Sequence, residues 1–174
     1  MKRNRRLGSS IAEFGAAFYA FFFAIIIPTF NLLSFAIAFS YAYLSANMTA
    51  DTVAQAMTVK RARQIVQEAP LELKRDSLAR FLKIESGTEG FKLDLVRTNI
   101  QGETEILTAR NFKSIEIDKE KVLIQYRVCA NYSSKPMLDL GSVPLINTIP
   151  IVGKETMLTF QLLRNIEHAD EIMN

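Results

Sequence analysis

The sequence predicts an α+β fold: a long N-terminal transmembrane helix that continues into an extracytoplasmic helix and packs against a small antiparallel β-sheet. Three observations predict it. From Phe14 to Ala50, 37 consecutive residues carry no Asp, Glu, Lys or Arg, and eleven of the 17 aromatic side chains (12 Phe and 5 Tyr) lie there. From there to Ile84, apolar residues recur at helical spacing among charged ones. Beyond Gly90 the apolar period switches to two. Composition accordingly divides the chain into a basic leader (1–8), an apolar stem (9–50), an extracytoplasmic helical and β-sheet region (51–164) and a polar tail (165–174).

The leader carries the charge asymmetry. Lys2, Arg3, Arg5 and Arg6 are four of the 21 basic residues, so the rest of the chain sets 17 basic against 18 acidic ones. The overall charge of +3 is a property of the leader, and no basic domain remains to hold nucleic acid.

The stem is too long for a bilayer alone. As a helix, Phe14–Ala50 spans roughly 56 Å against a hydrocarbon core of about 30 Å. Either the helix projects from the bilayer, or the chain turns back at Pro28-Thr29-Phe30-Asn31. A hairpin would leave arms of about 14 to 17 residues, at or below crossing length, so a single helix kinked at Pro28 is expected. Basic residues precede the stem and Asp51 is the first charge after it, which puts the N-terminus in the cytoplasm. A secretory signal peptide is the plainer reading. The small-x-small sequence Ala36-Ile37-Ala38, however, lies inside the apolar run rather than after it.

Past Asp51 the helix is expected to continue to Pro70, with Val53, Ala54, Met57, Ala62, Ile65, Val66 and Ala69 on its apolar side. A second amphipathic helix follows over 70–84, with Leu71, Leu78, Phe81 and Leu82 inward, and Gly87 and Gly90 mark a break. Strands are expected at Phe91–Leu95, Glu103–Thr108, Ser114–Asp118, Lys121–Tyr132 and Thr156–Leu163, with hairpin turns at Asn99–Gly102 and Asp118–Lys121. Ser133–Glu155 fits no regular element; its aliphatic residues, among them Leu138, Leu140, Leu145, Ile146 and Ile149, either tuck onto the sheet or form a partner surface.

Catalytic material is scarce. Cys129, the only cysteine, reads as an inert buried thiol, the sharper alternative being an intermolecular disulfide. His168, the only histidine, lies in the polar tail. No metal site, cofactor loop or nucleophile–base pair is apparent, so neither cofactor nor catalysis is expected.

The most specific feature is Arg5-Arg6-Leu7-Gly8-Ser9-Ser10-Ile11-Ala12-Glu13-Phe14. A lone carboxylate at the edge of an apolar helix is costly, and taken alone Glu13 would snorkel to the headgroups. Its spacing from Gly8, behind a basic leader, resembles the type IV prepilin motif Gly-x-x-x-x-Glu-Phe of TadE/TadF-like minor pilins (pseudopilins) of tight-adherence (Tad) pili. Ser40–Tyr43, the small and polar residues of Ala46–Ala56, and a β-rich end with an apolar Pro/Gly loop are also similar to that family. Ala12 departs from it, standing where a branched aliphatic is more usual.

The resemblance implies processing between Gly8 and Ser9 by a membrane prepilin peptidase, with the stem retained in the inner membrane. It implies that Glu13, with Phe14, serves assembly by pairing with the new N-terminus of a neighbouring subunit. The partners implied are other pilin or pseudopilin subunits and the inner-membrane assembly platform, with the C-terminal region periplasmic or extracellular. Gly15, Ala16 and Ala17 would let such stems approach closely. The alternative is a single-pass protein with an extracytoplasmic binding or sensor domain and no prepilin processing. A membrane-bound hydrolase has only the lone His168 to build on.

Overall fold

The computed structural model describes residues 4–107, 122–139 and 154–166. Its elements are α1 (Asn4–Phe21), a π-helical turn (Phe22–Ile26), α2 (Ile27–Ala54), α3 (Val59–Arg75), α4 (Ser77–Phe81) and four strands: β1 (Ile84–Asn99), β2 (Thr104–Leu107), β3 (Val122–Ser134) and β4 (Thr156–Asn165). The expected α+β fold is present, with a long apolar helix and a four-stranded antiparallel sheet.

α1, the π turn and α2 follow one another without a gap, so residues 4–54 form one helical rod of roughly 75 Å. The π turn answers Pro28. Proline has no N–H and its ring collides with the carbonyl four residues back, here that of Ala24. The turn containing Ala24 widens, and the Ile27 N–H donates to the Phe22 carbonyl five residues back. Pro28 itself sits in the first turn of α2, where a missing donor costs least.

The rod ends earlier than the sequence suggested. Gln55 N–H donates to Asp51 O and Ala56 N–H to Val53 O, tightening the last turn. Thr58, extended at φ −139°, then caps α3 by accepting from Arg61 N–H at 3.1 Å. α3 returns antiparallel along α2, so that Arg61 faces Thr52 and Asp76 faces Tyr41 across one groove. Pro70 does not end this helix. Only its bond to the Val66 carbonyl is lost, while Ala62, Val66, Ala69 and Leu73 hold the inner face in the core. The break falls at Asp76, whose carboxylate accepts from Leu78 N–H (2.7 Å) and Ala79 N–H (3.0 Å) to cap α4. Of the four residues expected on the apolar side Leu82 is buried, but Leu71, Leu78 and Phe81 are exposed; Leu73 and Ala79 are buried with Leu82 instead.

The sheet order is β2-β1-β3-β4, every pairing antiparallel. The Asn99–Gly102 turn forms as expected: Gly102 takes φ +82° and donates to Asn99 O at 3.0 Å. β1 runs straight through Gly87 and Gly90 instead of stopping. Its register with β3 shifts between Ser86 and Phe91, and Gly90, at φ +63°, supplies the left-handed residue this bulge needs. The strand expected at Ser114–Asp118 and the turn at Asp118–Lys121 lie outside the described residues, as do the tail from residue 167 and most of the long apolar loop.

One sheet face packs on the helices. Tyr126, Val128, Ala130 and Tyr132 of β3 are completely buried. Opposite them Ala38, Ala42, Ala46 and Ala50 of α2 repeat every four residues, the spacing of one helix face, and are equally buried. Small side chains bring the helix close to the sheet and leave room for rings. Tyr132 fills one pocket of this seam, edge-on to Phe91 (5.2 Å) and Phe160 (5.9 Å). Tyr126 fills another with Ala50, Val53, Ala62 and Val66. At the far end of α2, Arg164 of β4 grips Asp51 (2.6 Å) and Asn47 (2.7 Å).

Candidate functional site

The rod divides into two lengths. From Asn31 to Ala54, one face of α2 is the spine of the folded domain, buried against α3 and the sheet. From Phe14 to Phe30 only Ile27 is buried, and Phe14 (74% exposed), Tyr19, Ile25 and their neighbours form a continuous apolar surface. That free length is about 17 residues or roughly 26 Å, the lower limit for a spanning helix. Residues 12–54 are, by length and composition, one helix able to cross a membrane, and the domain accounts for the excess length that the sequence left unexplained.

The motif residues lie at the outer end. Gly8, Ser9, Glu13 and Phe14 all belong to α1. Glu13 and Phe14 are exposed, and a Cβ placed on Gly15 would meet nothing within 4 Å. No residue described between Ala12 and Ile26 is buried.

At the inner end stands Asn31, which the sequence offered only as the last residue of a candidate turn. Asn31 is 1% exposed. Its Nδ2 donates to the Leu138 carbonyl and its Oδ1 accepts from the Leu138 N–H, both at 3.0 Å. The amide thus imitates a strand neighbour and fastens the chain after β3 to the rod. Lys83, at φ +53°, reinforces this join by donating Nζ to the carbonyls of Pro136 (3.2 Å) and Met137 (3.0 Å). The sequence left Leu138 either tucked onto the sheet or on a partner surface; its backbone binds the stem, and the residue is 41% exposed. The available signal was a lone amide inside an apolar helix, which needs partners when buried.

Between α2 and α3 lies an open groove of about 420 Å³. Tyr41, Ser45 and Thr49 line one wall, with Glu68, Glu72 and Asp76 on the other. Among the described residues no group of His, Cys, Asp and Glu is placed to hold a metal ion. Cys129 is half-buried on the outer sheet face, rather than in the core, and burial pushes its thiol pKa up, away from the reactive thiolate. Tyr126 and Tyr132 have buried hydroxyls without a hydrogen-bond partner among the described residues. Burial raises each pKa to about 12; for Tyr132 the Ser45 side chain pulls the other way without meeting hydrogen-bond geometry. Both tyrosine rings are packing elements of the seam.

No protein family, curated protein or solved structure matches this chain.

Proposed function

We propose that the chain is a minor pilin or pseudopilin, a structural subunit for assembly of a Tad-type pilus. The observation that carries this reading is the Gly8-x-x-x-x-Glu13-Phe14 motif, set at the head of a single unbroken helical rod. The free apolar length that follows supports a single-pass anchor in the inner membrane, N-terminus cytoplasmic, with the folded domain on the other side. A prepilin peptidase cuts between Gly8 and Ser9, removing the basic leader while the rod keeps its place. Glu13 then meets the α-amino group of Ser9 in a neighbouring subunit, a pairing that offsets the cost of a carboxylate among apolar helices. The other partners are pilin-like subunits and the membrane assembly platform.

The test is the N-terminal residue of the protein extracted from membranes of cells with an active prepilin peptidase, read by intact mass or Edman degradation. Ser9 supports the reading. An intact Met1 sinks it and leaves a membrane-anchored binding domain. Gly8→Leu is expected to hold the full-length precursor in the membrane, and normal processing of that variant would remove the peptidase from the scheme.

A further inference from the structure

The end of the domain nearest the free rod has an unusual surface. α4 and the chain after β3 meet the rod at one level: Leu82, Lys135, Pro136 and Met137 line a small cavity with Asn31, Ser34 and Phe35. From Asn31 to Phe35 the helix rises about 6 Å, close to the thickness of one headgroup layer beside a core of about 30 Å. At this level Phe81 (63%), Leu78 (48%) and Leu138 (41%) turn their side chains outward. Arg80 is exposed on α4 between Leu78 and Phe81, and Lys74 and Arg75 are exposed at the end of α3, just before α4. Of the acids on these segments, Asp76 caps α4, Glu85 pairs with Lys135 at 3.4 Å, and Asp139, beside Leu138, also has a partner.

We propose that this collar is a lipid-docking surface: Phe81, Leu78 and Leu138 enter the interfacial layer and Lys74, Arg75 and Arg80 meet anionic headgroups. The inference rests on the reading of the free rod as a membrane anchor. The rod fixes the occupant, because a spanning helix that leaves the bilayer near Phe30 brings the collar to the membrane surface. Apolar and aromatic side chains flanked by Lys and Arg suit that boundary. The Asn31–Leu138 and Lys83 bonds hold the collar at a fixed height on the rod.

The chain contains no tryptophan, so single reporters have no background. Full-length Phe81→Trp, Leu138→Trp, Phe22→Trp and Ile100→Trp variants would be reconstituted in phosphatidylcholine vesicles with and without phosphatidylglycerol, with brominated phosphatidylcholine as quencher. Ile100 is the control, 74% exposed in the β1–β2 turn at the opposite end of the sheet. Tryptophan at 81 and 138 is expected to shift blue and to be quenched, more strongly with phosphatidylglycerol, while tryptophan at 100 does neither. Replacing Lys74, Arg75 and Arg80 by Gln should lower the docked-to-free ratio about fivefold per charge. Quenching at 22 with emission at 81 and 138 matching that at 100 overturns the docking surface and leaves the anchor standing. No quenching at 22 overturns the anchor and the collar with it. Quenching at 81 that the triple substitution leaves unchanged overturns the headgroup contact.

Discussion

Asn31 concentrates in one side chain what joins the rod to the folded domain. Both of its amide atoms serve the Leu138 backbone, and at 1% exposure no bulk water replaces them. Asn31→Leu keeps the volume and suits the apolar helix, yet leaves the Leu138 N–H and C=O without their partner. We expect a loss of about 1–3 kcal/mol, read by denaturant unfolding in detergent, with faster amide exchange at Met137–Asp139. Unchanged stability and exchange would mean that Lys83 alone secures the join. Asp76 makes a second prediction. The Ala79 N–H, foremost, holds its carboxyl below the usual carboxylate range. A depressed folded pKa gives stability that is complete above the ordinary Asp value, about 3.9, and is lost as pH falls through the folded value. Asp76→Asn should keep the cap while removing this part of the acid sensitivity. Superimposable acid-unfolding curves for the two proteins would count against it.

At the scale of elements, the described strands were legible apart from the start of β1, and the ends of the helices were not. Alternation in Phe91–Leu95 and the Asn99–Gly102 turn carried β1 and β2, because a strand with one buried face writes a period of two into the chain. Thr58 was missed because a cap by one hydroxyl needs neither Gly nor Pro. Pro70 misled because tertiary contacts along α3 outweigh one lost hydrogen bond. The alanines of α2 were hidden for a different reason: hydropathy does not distinguish lipid from the face of a β-sheet. Ala38, Ala42, Ala46 and Ala50 sit in a run apolar on all sides, and only their four-residue repeat separates the two environments. That repeat has a testable cost. Ala42→Leu drives a larger side chain into the Tyr132 seam and should lower stability by about 1–3 kcal/mol. Leu33→Ala, on the outer face at 61% exposure, should change the unfolding midpoint of the domain within about 0.5 kcal/mol. Equal effects at the two sites would mean that the seam is looser than its burial indicates.

At the scale of the molecule, the rod divides its labour by position: motif first, then an apolar length in which Ile27 is the one buried residue, then the spine of a folded unit. The last of these follows from packing, whereas the role of the first is legible only through the resemblance of residues 5–14 to a prepilin motif. Glu13 separates the two kinds of reasoning. Removing a carboxylate from an apolar segment favours insertion, since an acidic residue at a helix centre costs about 3 kcal/mol on insertion scales. Glu13 is also remote from the Asn31 join and the alanine seam, so the domain has no reason to notice its loss. On the proposed pilin reading, Glu13→Ala is therefore expected to insert, fold and be cut like the parent while losing assembled pili, counted by shear and immunoblot. A variant that assembles normally would free Glu13 from the proposed pairing with Ser9. One that fails to insert or to be processed would show that the carboxylate acts earlier, at the membrane or the peptidase, and not between subunits.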